Sequence, residues 1–314
     1  MGLRHAKCLS PIRLDGKTAI VTGCNTGIGK IVVLDFYKRG ARVIMACRNI
    51  EKANEAAEDI KVKCKNEEHL GEIVVTELDL CSLDSVRKCA LRLLETEERI
   101  DLLINNAGVM MCPQSKTKEG FETQFGTNHL GHFLFTLMLL PRLIKSSPSR
   151  IVNVSSAAYR RGRIDFDDLN FEKKSYSALG AYANSKLSNI LFSKELASRL
   201  QESQVQSVTV YSLHPGVITT DLGRHLDNTI FKGFRFLWGM LFKPFMKSPE
   251  QGAQTTIHCA VSEEAGKETG LFYAECKVEK LKDMANNKED AIKLWESSVK
   301  LVQLEETYNP FVPK

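Results

Sequence analysis

The sequence predicts an α/β fold, a doubly wound parallel sheet. Three observations carry this expectation. Short strand-like runs alternate with helical patterns along most of the chain. Runs such as Val43-Ile44-Met45-Ala46 are apolar throughout rather than alternating, as strands covered on both faces should be. The first run is followed at once by a glycine-rich turn that opens a helix, Thr22-Gly23-Cys24-Asn25-Thr26-Gly27-Ile28-Gly29.

Taken in order, Lys17 to Thr22 reads as the first strand and Ile28 to Arg39 as a helix ended by Gly40. Arg42 to Cys47 is the second strand, Glu51 to Lys65 a polar helix, and Glu72 to Leu78 the third strand. Leu83 to Glu98 is helical and Ile100 to Ile104 is the fourth strand. Gly120 to Leu143 is a long helix expected to end near Pro141, because proline removes a helical donor. Arg150 to Ser155 is the fifth strand, Gly180 to Gln201 a helix, Val205 to Leu213 the sixth strand, and Gly270 to Phe272 the start of a seventh. In such a sheet a ligand binds outside the carboxyl ends of the strands.

Composition narrows the function. The 314 residues allow one large domain or two, and 43% apolar with 26% charged residues suits a globular chain with a real core. A net charge of +5, with both signs mixed, does not suggest nucleic acid. The nine cysteines are scattered and form no C-x-x-C pair, so zinc and redox motifs lose support and a reducing, intracellular setting fits best. Asn153-Val154-Ser155 matches a glycosylation sequon but falls in a predicted core strand. Met1 to Leu14 holds no apolar run long enough for a signal peptide or a membrane span, and Gly2 lacks the Ser or Thr at position 6 of a myristoylation pattern.

The glycine turn has a specific physical use. Gly23, Gly27 and Gly29 let the backbone turn tightly and approach a pyrophosphate, which the following helix N-terminus stabilises. The spacing G-x-x-x-G-x-G differs from the general dinucleotide fingerprint G-x-G-x-x-G. At the end of the second strand an NAD site would carry Asp or Glu for the ribose 2′-hydroxyl. Arg48 stands there instead, and a guanidinium suits the 2′-phosphate of NADP.

Tyr182 and Lys186, one helical turn apart, are the leading chemical pair. A phenol with a pKa near ~10 carries protons poorly at pH 7, and a nearby ammonium should lower that value. By themselves the two residues would more often mark a solvated helix face. His129 and His132, three apart, lack a nearby carboxylate or thiolate motif, so no metal is expected.

Together with Asn105-Asn106-Ala107-Gly108, Tyr182 to Lys186 and Pro215-Gly216, the glycine turn makes the chain resemble the short-chain dehydrogenase/reductase family. Within it the chain resembles the retinol-dehydrogenase-like branch, through Gly23 to Lys30, Thr127-Asn128-His129-Leu130-Gly131-His132-Phe133, His214-Pro215-Gly216-Val217, Gly252-Ala253-Gln254-Thr255 and Ala285-Asn286-Asn287-Lys288. The resemblance implies one Rossmann-type domain over residues 17–314 after an N-terminal segment 1–16, with 222–250 covering the substrate. It implies a catalytic tetrad of Asn128, Ser156, Tyr182 and Lys186. Tyr182 would be the acid/base and Ser156, rather than Ser155, would hold the substrate oxygen. Lys186 would hold the nicotinamide ribose and tune Tyr182, and Asn128 would organise a water and the helix geometry. For NADP(H) it implies Gly23, Asn25, Thr26, Gly27, Ile28 and Gly29 at the pyrophosphate, Arg48 at the 2′-phosphate, and Asp79 and Leu80 at the adenine. Asn106 would lie near the adenosine ribose, and Pro215, Gly216, Val217 and Thr219 at the nicotinamide. Taken alone, Asp79 also reads as an acid at a helix N-terminus.

Two features set this chain apart. Ser156 and Tyr182 lie 26 residues apart, farther than in most of the family. The charged and aromatic insert between them, Tyr159 to Leu179, is similar to an extension in the retinol-dehydrogenase-like branch. Relatives often carry an apolar N-terminal anchor, which is not seen here.

Residues 230–246 interleave Phe231, Phe234, Phe236, Trp238, Phe242 and Phe245 with Lys232, Arg235 and Lys243, too short and too charged to span a bilayer. The segment reads as an apolar substrate cover, a membrane-surface contact or a core helix. The leading expectation is an oxidoreductase for a lipid-like alcohol or aldehyde, with retinol/retinal first. The alternatives are a broader carbonyl reductase for isoprenoid, steroid or lipid aldehydes and a non-catalytic nucleotide-sensing protein. The expected partners are a small apolar substrate, a peripheral membrane surface at the endoplasmic reticulum or a lipid droplet, and a second copy of the chain.

Overall fold

The computed structural model of the chain describes residues 6–218, 246–305 and 307–312. The elements run β1 (Thr18–Thr22), α1 (Gly27–Lys38), β2 (Arg42–Cys47), α2 (Ile50–Lys63), β3 (Glu72–Glu77), α3 (Leu83–Thr96) and β4 (Leu102–Asn105). A short turn α4 (Thr123–Phe125), a π-helical turn (Gly126–Leu130) and α5 (Gly131–Lys145) follow as one rod. Then come β5 (Ser149–Val154), a 3-10 turn (Ala157–Arg161), α6 (Ala178–Glu202) and β6 (Val208–His214). Pro249–Val261 is α7, Leu271–Ala274 is β7, Lys277–Val278 is β8 and Lys288–Leu301 is α8.

Among the described residues these strands form one sheet in the order β3-β2-β1-β4-β5-β6-β7-β8. All pairings are parallel except β7 with β8. Successive side chains on a strand point to opposite faces. Ile20, Ile44, Leu103 and Ile151 therefore join a core with α3, α5, α6 and α8, while Ala19, Val21, Met45, Ile104 and Val152 join a core with α1, α2 and α7. The sheet is apolar on both faces because both are covered. The chain crosses from one side to the other between β3 and β4, so the carboxyl ends of β1 and β4 diverge and open a crevice.

The strand and helix order matches the expected fold, with additions toward the C-terminus. The antiparallel β8, α7 and α8 lie in the C-terminal part, where the sequence suggested only the start of a seventh strand. Residues 6–16 are fastened to the sheet's helices, since Arg39 donates to the carbonyls of Ser10 and Ile12, and Cys8 and Leu14 are buried. The expected substrate cover, 222–250, and Thr219 lie outside the described residues save for 246–250.

The long helix also does not stop at Pro141, which sits inside α5. Proline lacks the N–H that would bond the Leu137 carbonyl one turn earlier. The Tyr308 hydroxyl donates to that carbonyl at 3.0 Å, so the C-terminal tail completes the helix that the proline interrupts. Leaving a buried carbonyl unpaired costs about 1–3 kcal/mol. Tyr308→Phe should lower stability to denaturant by that order. The loss should shrink toward zero in a Pro141→Ala background, where residue 141 has an N–H of its own; an equal loss in both backgrounds would refute the pairing.

Candidate active site

The residues singled out from the sequence collect at the carboxyl edge of the sheet. The glycine turn follows β1, Arg48 follows β2, Asp79 and Leu80 follow β3, and Asn106 follows β4. Ser156 follows β5, Pro215 to Val217 follow β6, and Tyr182 and Lys186 stand on α6, which packs beside β5 and β6.

The turn after β1 is a cradle with no room for a side chain at Gly23 or Gly29. Gly23 has φ +60°, and a Cβ there would lie 2.7 Å from the Cβ of Ala107. A Cβ on Gly29 would lie 2.6 Å from Asn106 Nδ2 and 2.7 Å from Cys24 Cα. The first turn of α1 has no side-chain cap and no acidic residue. Asn49, Ser82, Ser177, Ser248 and Asn287 by contrast cap α2, α3, α6, α7 and α8 with their own side chains. Free N–H groups at a helix start beside closely packed glycines fit the pyrophosphate of a dinucleotide.

Arg48 is exposed at the end of β2 and makes no hydrogen bond or ion pair among the described residues. Asp79 accepts from the Cys81 N–H at 3.0 Å and so shapes the turn, while Ser82 is the cap of α3. Leu80 is buried, and its carbonyl lies so near Gly131 that a Cβ there would come within 2.8 Å. The Asn106 amide donates to the carbonyls of Thr22 at 2.9 Å and Gly23 at 3.2 Å, bracing the glycine turn from behind. Gly216 has φ +99°, and any side chain there would strike Lys247. Lys247 pairs with Glu275.

Tyr182 and Lys186 are 5% and 3% exposed, so they do not form a solvated helix face. Lys186 donates to the Val154 carbonyl at 2.9 Å, and its ammonium lies 5.8 Å from the Tyr182 ring centre. Two adjacent serines play different parts. Ser155 donates to the Lys186 carbonyl at 2.7 Å and fastens β5 to α6. Ser156 accepts from the Ala158 N–H at 3.2 Å and meets the Tyr182 phenol.

Burial pushes the Tyr182 phenol up to about 12, against a smaller downward pull from Ser156. Burial also lowers the Lys186 ammonium to about 8. The expected lowering of the tyrosine by its lysine is therefore not found. Desolvation opposes the charged form of each group and is the largest cause of both shifts.

Asn128 is fully buried in the π-helical turn. Its side chain accepts from the Val109 N–H at 2.8 Å and donates to the Val109 carbonyl and to Ser185 Oγ, both at 2.9 Å. Ser185 in turn donates to the Tyr182 carbonyl at 2.8 Å. Asn128 thereby ties the loop after β4 to the turn of α6 that holds the candidate pair. A Cβ on Gly108 would lie 3.3 Å from Asn128 Oδ1 and 3.5 Å from Lys186 Nζ, so the two side chains flank one point of that loop.

Some contributors escape motif reading. Gln124 accepts from the Met111 N–H and donates to Tyr176 and the Ala178 carbonyl, and Tyr176 donates to the Cys112 carbonyl. These bonds join the charged and aromatic insert to the loop after β4. Their only sequence signal is a polar residue at a buried helix position. His129 sits among Phe125, Phe133 and Phe192 and meets Ser298 at 2.8 Å. His132 lies between Thr22 and the Asn128 carbonyl. Burial lowers the two imidazoles to about 3 and about 4, so both are neutral at pH 7.

A model of the short chain dehydrogenase family matches residues 17–230. The chain is 47% identical to human retinol dehydrogenase 13 over 300 residues, 95% of this chain and 88% of that protein. It is 46% identical to human retinol dehydrogenase 11 over 302 residues, 96% of this chain and 91% of the relative. Among solved structures, a putative uncharacterized protein from Mycobacterium Paratuberculosis superposes with a TM-score of 0.74 at 33% identity, covering 95% of this chain and 97% of the other. The RhlG/NADP active-site complex of Pseudomonas aeruginosa gives 0.63 at 26% identity, over 83% of this chain and 94% of the other. The chain belongs to the short-chain dehydrogenase/reductase family, oxidoreductases that use nicotinamide cofactors.

Proposed function

We propose that the chain is an NADP(H)-dependent oxidoreductase that interconverts a lipid-like alcohol and its aldehyde or ketone, with retinol and retinal as the first pair to test. The observation that carries this reading is that Asn128, Ser156 and the buried pair Tyr182 and Lys186 are gathered at the carboxyl edge of the sheet that also holds the glycine cradle. When bound, the nicotinamide supplies or accepts the hydride at the carbonyl carbon.

The chain's own residues handle the oxygen and its proton. With its pKa raised, Tyr182 is protonated at neutral pH and is suited to donate to the carbonyl oxygen during reduction. In the oxidative direction it takes the alcohol proton. Ser156, fixed through the Ala158 N–H, keeps its hydroxyl free to donate to the same oxygen. Lys186 is anchored on Val154 by one bond and retains further donors for the nicotinamide ribose. Asn128 holds Ser185 and Val109, and through them the geometry of both flanking segments.

The same reading assigns Gly23, Asn25, Thr26, Gly27, Ile28 and Gly29 to the pyrophosphate, Asp79 and Leu80 to the adenine and Asn106 to the ribose face. Pro215, Gly216, Val217 and Thr219 are assigned to the nicotinamide end. The preference for NADP rests on Arg48, an exposed guanidinium with no protein partner among the described residues at the strand end where the 2′ group would lie. The NADP named for the Pseudomonas aeruginosa neighbour is consistent with it. The apolar substrate is supported by the names of the retinol dehydrogenases and by the aromatic sequence of residues 230–246. The lysines and arginine interleaved there support a peripheral contact with an intracellular membrane.

Tyr182→Phe should lower kcat about 100-fold or more while NADPH binding, followed by fluorescence titration, stays unchanged. Unchanged turnover would remove Tyr182 from the acid/base role. Arg48→Asp should lose roughly 10- to 150-fold of the preference for NADPH over NADH, the worth of charge-assisted bonds to the 2′-phosphate. Equal selectivity in the variant would exclude that contact. For the substrate, kcat/KM should be higher with retinal than with short-chain aldehydes in a panel run with NADPH. The opposite order would move the assignment to a broader carbonyl reductase.

A further inference from the structure

The Thr22 hydroxyl oxygen accepts from two backbone donors, Asn106 N–H at 3.0 Å and Ala107 N–H at 2.9 Å. Its own proton then has to go elsewhere. The Ile104 carbonyl is a poor target at 3.5 Å, whereas His132 Nε2 lies at 2.9 Å. The other ring nitrogen, Nδ1, is 3.0 Å from the Asn128 carbonyl. A carbonyl only accepts, so Nδ1 carries the imidazole proton and Nε2 is bare. Every bond is thus directional. The N–H groups of the loop after β4 point to Thr22, Thr22 points to His132, and His132 points to Asn128.

The two ends of this relay are the two halves of the site. Thr22 is the last residue of β1, and the Asn106 amide clamps the carbonyls of Thr22 and Gly23 in the glycine turn. Asn128 reaches Ser185 and, through it, the Tyr182 backbone. His132 is 2% exposed, so no water is at hand to replace either partner if it is lost.

We propose that His132 is a positioning residue that sets the cofactor turn and the Asn128 turn relative to each other, acting through Thr22 on one side and the Asn128 carbonyl on the other. This rests on the reading of the site as an NADP(H)-dependent oxidoreductase. The two contacts are separable. An asparagine amide can stand in for Nδ1 and a glutamine amide for Nε2, so His132→Asn keeps the Asn128 contact and His132→Gln keeps the Thr22 contact.

The experiment measures kcat, the KM and Kd for NADPH, and the unfolding midpoint of both variants with retinal as substrate. Nitrogen-15 NMR of the wild-type imidazoles, with His132 assigned by its loss in the variants, reads the tautomer. His132→Asn should raise KM and Kd for NADPH about tenfold with kcat nearly unchanged. His132→Gln should lower kcat about tenfold with NADPH affinity nearly unchanged. The NMR should show protonated Nδ1 and bare Nε2 at pH 7. The proposal is overturned by the opposite tautomer, or by kinetic and binding constants that stay at wild-type values or shift together in step with the unfolding midpoint. Wild-type protein that binds NADPH yet turns over no carbonyl would instead defeat the functional reading, while the tautomer and the binding constants still judge His132.

Discussion

The buried side chain of Asn128 is the interaction on which the candidate site depends. One primary amide, wholly removed from water, bonds both backbone groups of Val109 and the hydroxyl of Ser185. An unpaired amide at such depth would be costly, so the three partners are held where the amide needs them. The loop after β4 and the start of α6 are far apart in sequence and belong to different layers of the fold. Asn128 makes their separation a fixed distance. The π-helical turn lets it do so, because the extra residue in the turn rotates the side chain off the regular helical track.

Around that brace, burial governs the charges. Tyr182 and Lys186 are both taken out of water, and each is pushed toward its neutral form. The result is a proton-bearing phenol and an ammonium nearer neutrality, one helical turn apart. The structure spends its hydrogen bonds with discrimination here. Ser155 is committed to the backbone of α6, while Ser156 only accepts, from the Ala158 N–H, and keeps its own proton to donate. Two identical neighbours in sequence are separated because successive residues of the extended chain just past β5 point to opposite sides.

The cofactor side is built on close approach rather than on charge. Gly23 and Gly29 are pressed against Ala107, Asn106 and Cys24, so backbone occupies the space that side chains would take. The start of α1, which has no side-chain cap, and the guanidinium of Arg48, which has no partner among the described residues, lie at the same edge of the sheet. Together they make sense as a surface shaped for an anion, and that logic links the fold to the proposed chemistry.

Periodicity and local composition by themselves determined the parallel sheet and the glycine turn, and the motifs carried the resemblance to the family. These depend on local rules, in which apolar runs become buried strands and glycines permit turns that other residues cannot make. Local rules could not see that Pro141 stays inside its helix, because the compensating Tyr308 arrives from the far end of the chain. Nor could they show that Tyr182 and Lys186 are buried, that burial pushes each toward its neutral form, or that His132 bridges Thr22 and Asn128. Those outcomes were decided by which atoms the tertiary structure removes from water and which distant partners it brings within hydrogen-bonding distance. Neither quantity is a property of any short stretch of sequence.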